Sequence, residues 1–455
     1  MKPLLIPALC MSLLSLVALP SIAAEPNAEG VTRIVMQGNT LEDFFTAALD
    51  YSPELRIARE RWNIGSARKR ATNGQLLPQI NANASISDNK QVLDATNNTS
   101  KYQGERYSVQ LNQVLFNWQA FNSRGQAAFL EDQAEAEYYA QLTYTLTDVA
   151  DKYFVALQAE DAVTSIASEF EAVNSQLARI ETLYRLQSVQ ITDLYDAQAR
   201  LAAVQAEQLN LESSLALARE ALRAASGVSV GELFRLNEEL DIPGVTGSID
   251  SWLERARSGN QQIRARELAV QAADKMVSAR QGAYMPRVSL IAQQQLSDIG
   301  YDNTRQPYRS DTTFIGVDVS IPLFAGGSNK AAISEARSQQ NIAENELRQI
   351  QLQIVERTRT AYLQAKSSEL QVIAAQRLAD SAALSYTARQ RGFELGTVNS
   401  VDVLNALRDR FRGERDLQQA RYDNIRYNLL LKREAGSLSS DDLLEIGTWL
   451  IAPEN

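Results

Sequence analysis

Histidine is absent from all 455 residues, and the single cysteine is Cys10. A His-dependent triad, a zinc site with His ligands and a His pH switch are therefore excluded. The acidic residues are scattered along helix faces, and no nucleophile or metal constellation stands among them, so neither an enzyme nor a cofactor is expected. Two aspartates stand out by position. Asp193, in Ile191-Thr192-Asp193-Leu194, and Asp402, in Val401-Asp402-Val403-Leu404, both follow short turns between long helical stretches. They fall on one another when the chain is shifted by 209 residues.

That coincidence belongs to a repeat of the whole chain. At a shift of 208, Ser52-Pro53-Glu54-Leu55-Arg56 lies over Asn260-Gln261-Gln262-Ile263-Arg264. Leu76-Leu77-Pro78-Gln79-Ile80 lies over Tyr284-Met285-Pro286-Arg287-Val288, and Val114-Leu115-Phe116 over Pro322-Leu323-Phe324. One inserted residue later Tyr153 meets Tyr362 and Gly227 meets Gly436. The period far exceeds that of a solenoid. The chain is expected to hold two copies of one structural unit, over residues 25–240 and 241–455.

Each copy reads helix, strand, loop, strand, long helix, helix. After a helix from Pro53 to Gln75, ended by Pro78, Ile80, Ala82, Ala84 and Ile86 alternate with polar residues. A polar loop from Asp88 to Gly104 follows, and then Tyr107, Val109 and Leu111 alternate. Period-two alternation predicts strands at 79–87 and 106–116, repeated at 288–296 and 313–321. Such a hairpin suits a soluble sandwich, but ten tilted residues also match a membrane-crossing strand. Aromatic residues cluster near the strand ends: Tyr102, Tyr107, Phe116, Trp118 and Phe121 in one copy, Tyr301, Tyr308, Phe314 and Phe324 in the other. The clustering resembles the girdles of outer-membrane barrels. Four strands cannot close a barrel, and an open edge in lipid leaves backbone groups unsatisfied. Several chains must then share one barrel.

The helices are rods. Residues 122–185 and 330–395 contain almost no proline or glycine, and each would span about 95–100 Å. Shorter partners are predicted at 191–225 and 400–435. The first carries a seam of Leu194, Ala197, Leu201, Val204, Gln208, Leu211, Leu215, Ala218 and Leu222 at coiled-coil spacing. End to end, the helix at 53–75 and that at 191–225 nearly match the rod beside which they would stack.

Composition narrows the setting. With 45 Lys+Arg against 55 Asp+Glu the net charge is −10, which disfavours a nucleic-acid partner. Lys2, the apolar run Leu4 to Val17 and the small residues before Glu25 predict a secretory signal peptide over 1–24, which would carry Cys10 away. No later window approaches about 18 consecutive apolar residues, so no transmembrane helix is expected.

The order of elements, the duplication, the Leu-Leu-Pro-Gln turn into a strand and the Leu-Phe strand ends before Asn-Trp or Ala-Gly-Gly resemble the TolC family of outer-membrane export ducts. So does Leu395-Gly396-Thr397 followed by Val401-Asp402-Val403-Leu404. The resemblance runs from Leu41 to Leu444. It implies a mainly α fold with β: a homotrimer whose twelve strands form one barrel, continued across the periplasm by an α-helical coiled-coil barrel. A mixed α/β belt would draw on residues 228–262 and the segment from Leu438. It also implies a passive duct in an efflux pump or type I secretion system, recruited by a periplasmic adaptor and an inner-membrane ABC or RND-type pump.

The resemblance locates the functional residues at the closed periplasmic end. Asp402 matches an aspartate that rings the threefold axis and favours cations; its plain alternative is a cap near a helix start after Ser400. The family's second aspartate is replaced here by Asn405, which predicts a weaker field. Asp193 matches the acceptor that holds the gate shut. The family's tyrosine and arginine donors are replaced by Phe393 and Val398, and spacing does not choose among Arg389, Arg391, Arg200 and Arg408 as substitutes. Asp196 reads as a solvated charge rather than a second gate residue. Leu395-Gly396-Thr397 matches the turn where adaptors dock; its counterpart Leu186-Gln187-Ser188 lacks the glycine, and a plain turn is the alternative for both. A periplasmic coiled-coil adaptor is the rival reading, but it would show one hairpin and not two matching halves.

Overall fold

The structure, a computed structural model, describes residues 37–93, 98–237, 240, 242–299 and 308–452. The expected signal peptide and Tyr301 lie outside these residues. The elements in chain order begin with β1 (Gln37–Gly38), α1 (Leu41–Tyr51), α2 (Pro53–Gly74), β2 (Gln79–Leu93) and β3 (Asn98–Asn117). Then come α3 (Trp118–Arg185), α4 (Ile191–Ser226), β4 (Ser229–Val230), β5 (Arg235–Leu236), α5 (Ile249–Gly259) and α6 (Gln261–Gln281). The chain continues with β6 (Arg287–Ile299), β7 (Tyr308–Ser320), α7 (Ser328–Glu394), α8 (Ser400–Glu434), α9 (Ser440–Thr448) and β8 (Leu450–Ile451).

The two rods are single helices of 68 and 67 residues, α3 and α7. Both α2 and α4 pack along α3, and both α6 and α8 along α7. One continuous helix thus lies beside two shorter ones in each half. The seam of α4 is where that packing occurs. Ala197, Val204, Ala218 and Leu222 are buried, and the other five seam residues, Gln208 included, are half-buried. Because the seam repeats every three and four residues, it keeps one face of α4 on its neighbours.

The four long strands form one antiparallel sheet in the order β2-β3-β6-β7. Its central pair joins the two halves, from Gly104↔Ile299 to Asn117↔Arg287. The register sorts side chains by face. Ile80, Ala82 and Ala84 stand across from Leu111, Val109 and Tyr107. Leu290 and Ala292 stand across from Val317 and Ile315 on the same face. Ile80, Ile315 and Val317 are 67%, 72% and 60% exposed in the single protomer, so the middle of this apolar face is uncovered among the described residues. The opposite face carries Asn81, Asn83, Ser108, Gln110, Gln293 and Gln295. A bulge between Val114 and Phe116 flips Phe116 to the apolar face, opposite Val288 and beside Phe121 in the first turn of α3.

Two expectations about the sheet are corrected. Residues 88–93 and 98–104 are not a loop but continue the ladder to Leu93↔Asn98, because polar side chains do not prevent backbone pairing. Phe314 belongs to the polar face: its ring lies over Gly316, where an added Cβ would approach it to 2.7 Å. It is therefore no part of an apolar-face girdle. Among the described helices none is long and apolar enough to cross a membrane.

Where the halves meet, a compact core packs against α3. It takes Leu41 and Phe44 from α1, Tyr153, Phe154 and Leu157 from α3, Leu222 from α4 and Tyr422 and Ile425 from α8. Leu236 and Leu450 bring in the small pair β5–β8, so residues near Asn237 and the C-terminal segment both contribute, together with the N-terminal stretch 37–51. Equivalent tyrosines brace the two halves. Tyr153 donates to the carbonyl of Phe234 at 3.0 Å, and Tyr362 to that of Gly247 at 3.4 Å. Desolvation pushes the Tyr153 phenol well above its ordinary range, so it remains a donor.

The matching glycines close α4 and α8. Gly227 and Gly436 have φ of 77° and 63°, the left-handed conformation that ends a helix without a Cβ penalty. At Gly436 a Cβ would also come within 2.6 Å of the Asn260 backbone. Gly436→Ala should therefore lose about 2 kcal/mol or more of stability. A lower thermal midpoint for the purified protein would register it, and an unchanged midpoint would contradict the close approach.

Candidate functional site

The far end of the helices is built by two turns of one design. After α3, the amide of Gln187 donates to the Tyr184 carbonyl at 2.8 Å and that of Ser188 to Leu183 at 2.9 Å. After α7, Gly396 donates to Phe393 at 3.1 Å and Thr397 to Gly392 at 2.8 Å. This is the paired pattern of a Schellman end, which requires one left-handed residue. Gly396 has φ 75°, and in the other turn Gln187 takes φ 60°, alone among the described non-glycine residues. The missing glycine in the first turn thus leaves the backbone path unchanged and adds strain. Gln187→Gly should stabilise the turn by about 1 kcal/mol, measured as a higher thermal midpoint. Both turns present leucine to solvent: Leu186 is 68% and Leu395 80% exposed.

Asp193 stands at the third position of α4 and performs two tasks. One carboxylate oxygen accepts the Gln190 amide at 3.1 Å, which caps the helix start. The other accepts the hydroxyl of Ser400 at 2.8 Å, from the first residue of α8. The bond joins residues 207 apart and ties the first half to the second at the tip. Ser400 is buried. Three of the four arginine alternatives go elsewhere. Arg389 pairs with Asp402 at 3.8 Å, Arg408 with Asp409 at 3.0 Å, and Arg200 with Glu169. None of these three ion pairs reaches Asp193. Sequence reasoning overlooked Ser400 because a hydroxyl at a helix start reads as capping; its pseudo-equivalence with Ile191 gave no signal of a partner.

Phe393 cannot donate, and its ring holds a cation: the Arg179 guanidinium lies 5.3 Å from the ring centroid and pairs with Glu394 at 3.6 Å. A tyrosine-like reach to Asp193 is thereby replaced by a contact to α3. The cap at the start of α8 is Asn399, whose side chain accepts the Asp402 amide at 2.8 Å. Asp402 is thus not the cap residue, and its carboxylate is left beside Arg389. Asn405 and Asp196 are both exposed. Asp193, Asp196, Phe393, Gly396 and Ser400 line one open cleft of about 600 Å³ between the two turns. Asp402 and Asn405 lie outside that lining, on α8.

Inward from the tip, α3, α4 and α8 share an apolar core of Ile166, Val173, Leu177, Ile180, Ala197, Val204, Leu404, Leu407 and Phe411. Nonpolar contact of this kind keeps helix faces together but is non-directional. The polar Asp193–Ser400 bond supplies a fixed point at the open end. The Asp193–Ser400 bond thus links the two helix pairs at this end, with the Asp402 carboxylate nearby on α8.

Comparison with known proteins agrees with this geometry. The model of a family described as outer membrane efflux protein matches the chain twice, at residues 45–228 and 252–436. The outer membrane protein TolC of Vibrio cholerae serotype O1 is 25% identical over 424 residues, covering 92% of this chain and 96% of its own. The alkaline protease secretion protein AprF of Pseudomonas aeruginosa is 24% identical, covering 91% and 88%. Among solved structures, the CmeC outer membrane channel of Campylobacter jejuni superposes with a TM-score of 0.76 at 16% identity, covering 90% of this chain and 89% of its own. Two matched halves, each with its own tip turn, leave no place for the single-hairpin adaptor reading. The chain belongs to the outer membrane efflux protein family and is an outer-membrane channel for efflux or secretion.

Proposed function

We propose that three copies of this chain assemble into one passive export duct, closed at its helical tip by the Asp193–Ser400 contact and opened by a docking adaptor. The observation that carries this is the four-stranded sheet, whose edge strands β2 and β7 pair on one side only and whose apolar face is exposed. Edges in lipid must be paired. Two copies would give an eight-stranded barrel, which side chains fill, whereas three give twelve strands and a passage. The polar face of Asn, Gln and Ser then lines the lumen. The adaptor would meet the exposed Leu186 and Leu395 turns, and an inner-membrane ABC or RND-type pump would supply the energy. Trimers that migrate intact until heated, in the outer-membrane fraction, are the expected result. A monomer in the soluble periplasm would discard the assembly.

Three copies of Asp402 at one constriction would favour cations, and the Arg389 partner on α7 moderates that field. In planar bilayers under a salt gradient, Asp402→Ala should lower the cation preference and Arg389→Ala should raise it. A reversal potential that neither variant moves would refute the ring.

A further inference from the structure

The apolar core behind the tip contains one carboxylate that water does not reach. The Glu169 side chain is 1% exposed, on the face of α3 that also buries Ile166 and Val173. Two guanidinium groups come to it from different helices. Arg200 of α4 donates to Oε1, and Arg415 of α8 donates to Oε2 at 2.9 Å. One rod therefore holds a partner from each half of the chain on a single buried group.

The arrangement is not part of the repeat. At the shift of 209, Glu169 falls on Leu378, Arg200 on Asp409, and Arg415 falls back on Ala206. Such a triad seldom stabilises a fold better than apolar side chains of equal volume, because each charge must lose its water. What it supplies is direction. The surrounding leucine, isoleucine and valine contacts are non-directional, whereas a carboxylate shared by two guanidinium groups fits one register only. Arg415 lies fifteen residues beyond Ser400 on α8, about 22 Å along a continuous helix. A rotation of α8 at Arg415 is carried rigidly to Ser400.

We propose that Glu169 is a positioning residue of the gate: by holding Arg415 it fixes the register of α8 on α3 and so keeps Ser400 within reach of Asp193. This rests on the reading of the tip as the gate. The test is the resting conductance of purified full-length trimers in planar bilayers, for Glu169→Gln, Arg415→Gln, Ser400→Ala and Arg415→Gln with Ser400→Ala. Glu169→Gln and Arg415→Gln should each raise the resting open fraction about tenfold. The double variant should leak no more than the leakier of its two single variants, since both act through one latch. A merely structural triad would lower the thermal midpoint without this lack of additivity. If Glu169→Gln fails to assemble, Arg415→Gln still carries the test, because Glu169 then keeps Arg200. Wild-type resting conductance in intact Arg415→Gln trimers, or additive leaks, would overturn the proposal while leaving the duct in place. Wild-type protein that forms no channel would remove the gate reading itself, and the proposal with it.

Discussion

Ile315→Arg is expected to abolish accumulation of the proposed trimer in the outer membrane. Ile315 lies midway along the apolar face of β7, between Val317 and Thr313, and is 72% exposed in the protomer. An arginine at the middle of a barrel's lipid face costs about 2–4 kcal/mol, and three copies bring this to about 6–12 kcal/mol per barrel. That is comparable to the whole stability of a small domain. Thr312→Arg supplies the contrast, because its side chain stands on the polar face across from Gln295. It should assemble at normal levels and change only conductance. Equal assembly of both variants would show that the apolar face does not meet lipid.

Ser400→Ala should produce the second large effect, a rise in resting conductance with assembly intact. The variant removes one hydrogen bond to the Asp193 carboxylate and leaves the caps of α4 and α8 untouched. Allowing for the partial exposure of Asp193, each bond contributes about 1–2 kcal/mol. In the proposed trimer, three such bonds that open together shift the open fraction roughly a hundredfold or more. Asp193→Ala would leak too, but it also removes a helix cap, so the serine is the cleaner probe. Ser400→Ala trimers that conduct no more than wild type would rule out the latch.

The long helices were legible in sequence because their determinants are local: few breakers, a three-four seam and glycines where α4 and α8 end. The face of each strand was legible for the same reason, since alternation is a property of neighbouring residues. Strand length was not, because backbone pairing runs past the apolar band into Asp88–Leu93. The side taken by Phe314 was hidden because an aromatic ring at a strand end suits either face until register is known. At the tip, location was readable and bonding was not. Asp193 could be placed by the repeat, but its partner is a serine 207 residues away. Glu169 carried no signal at all; its neighbours Arg200 and Arg415 meet it only after three helices pack.

The connection of the sheet has a consequence for biogenesis. Its central ladder pairs β3 with β6, and Arg287 emerges 170 residues after its partner Asn117. At ordinary synthesis rates of about 5–20 residues per second the first hairpin waits some 8–34 s for its neighbour. Throughout that interval Ile80, Val109 and Tyr107 sit on an unmated strand pair, the kind of intermediate that aggregates. Contacts between such distant segments also form slowly. The order of the strands in the chain thus leaves the β3 edge of the first hairpin without its partner until β6 has been made.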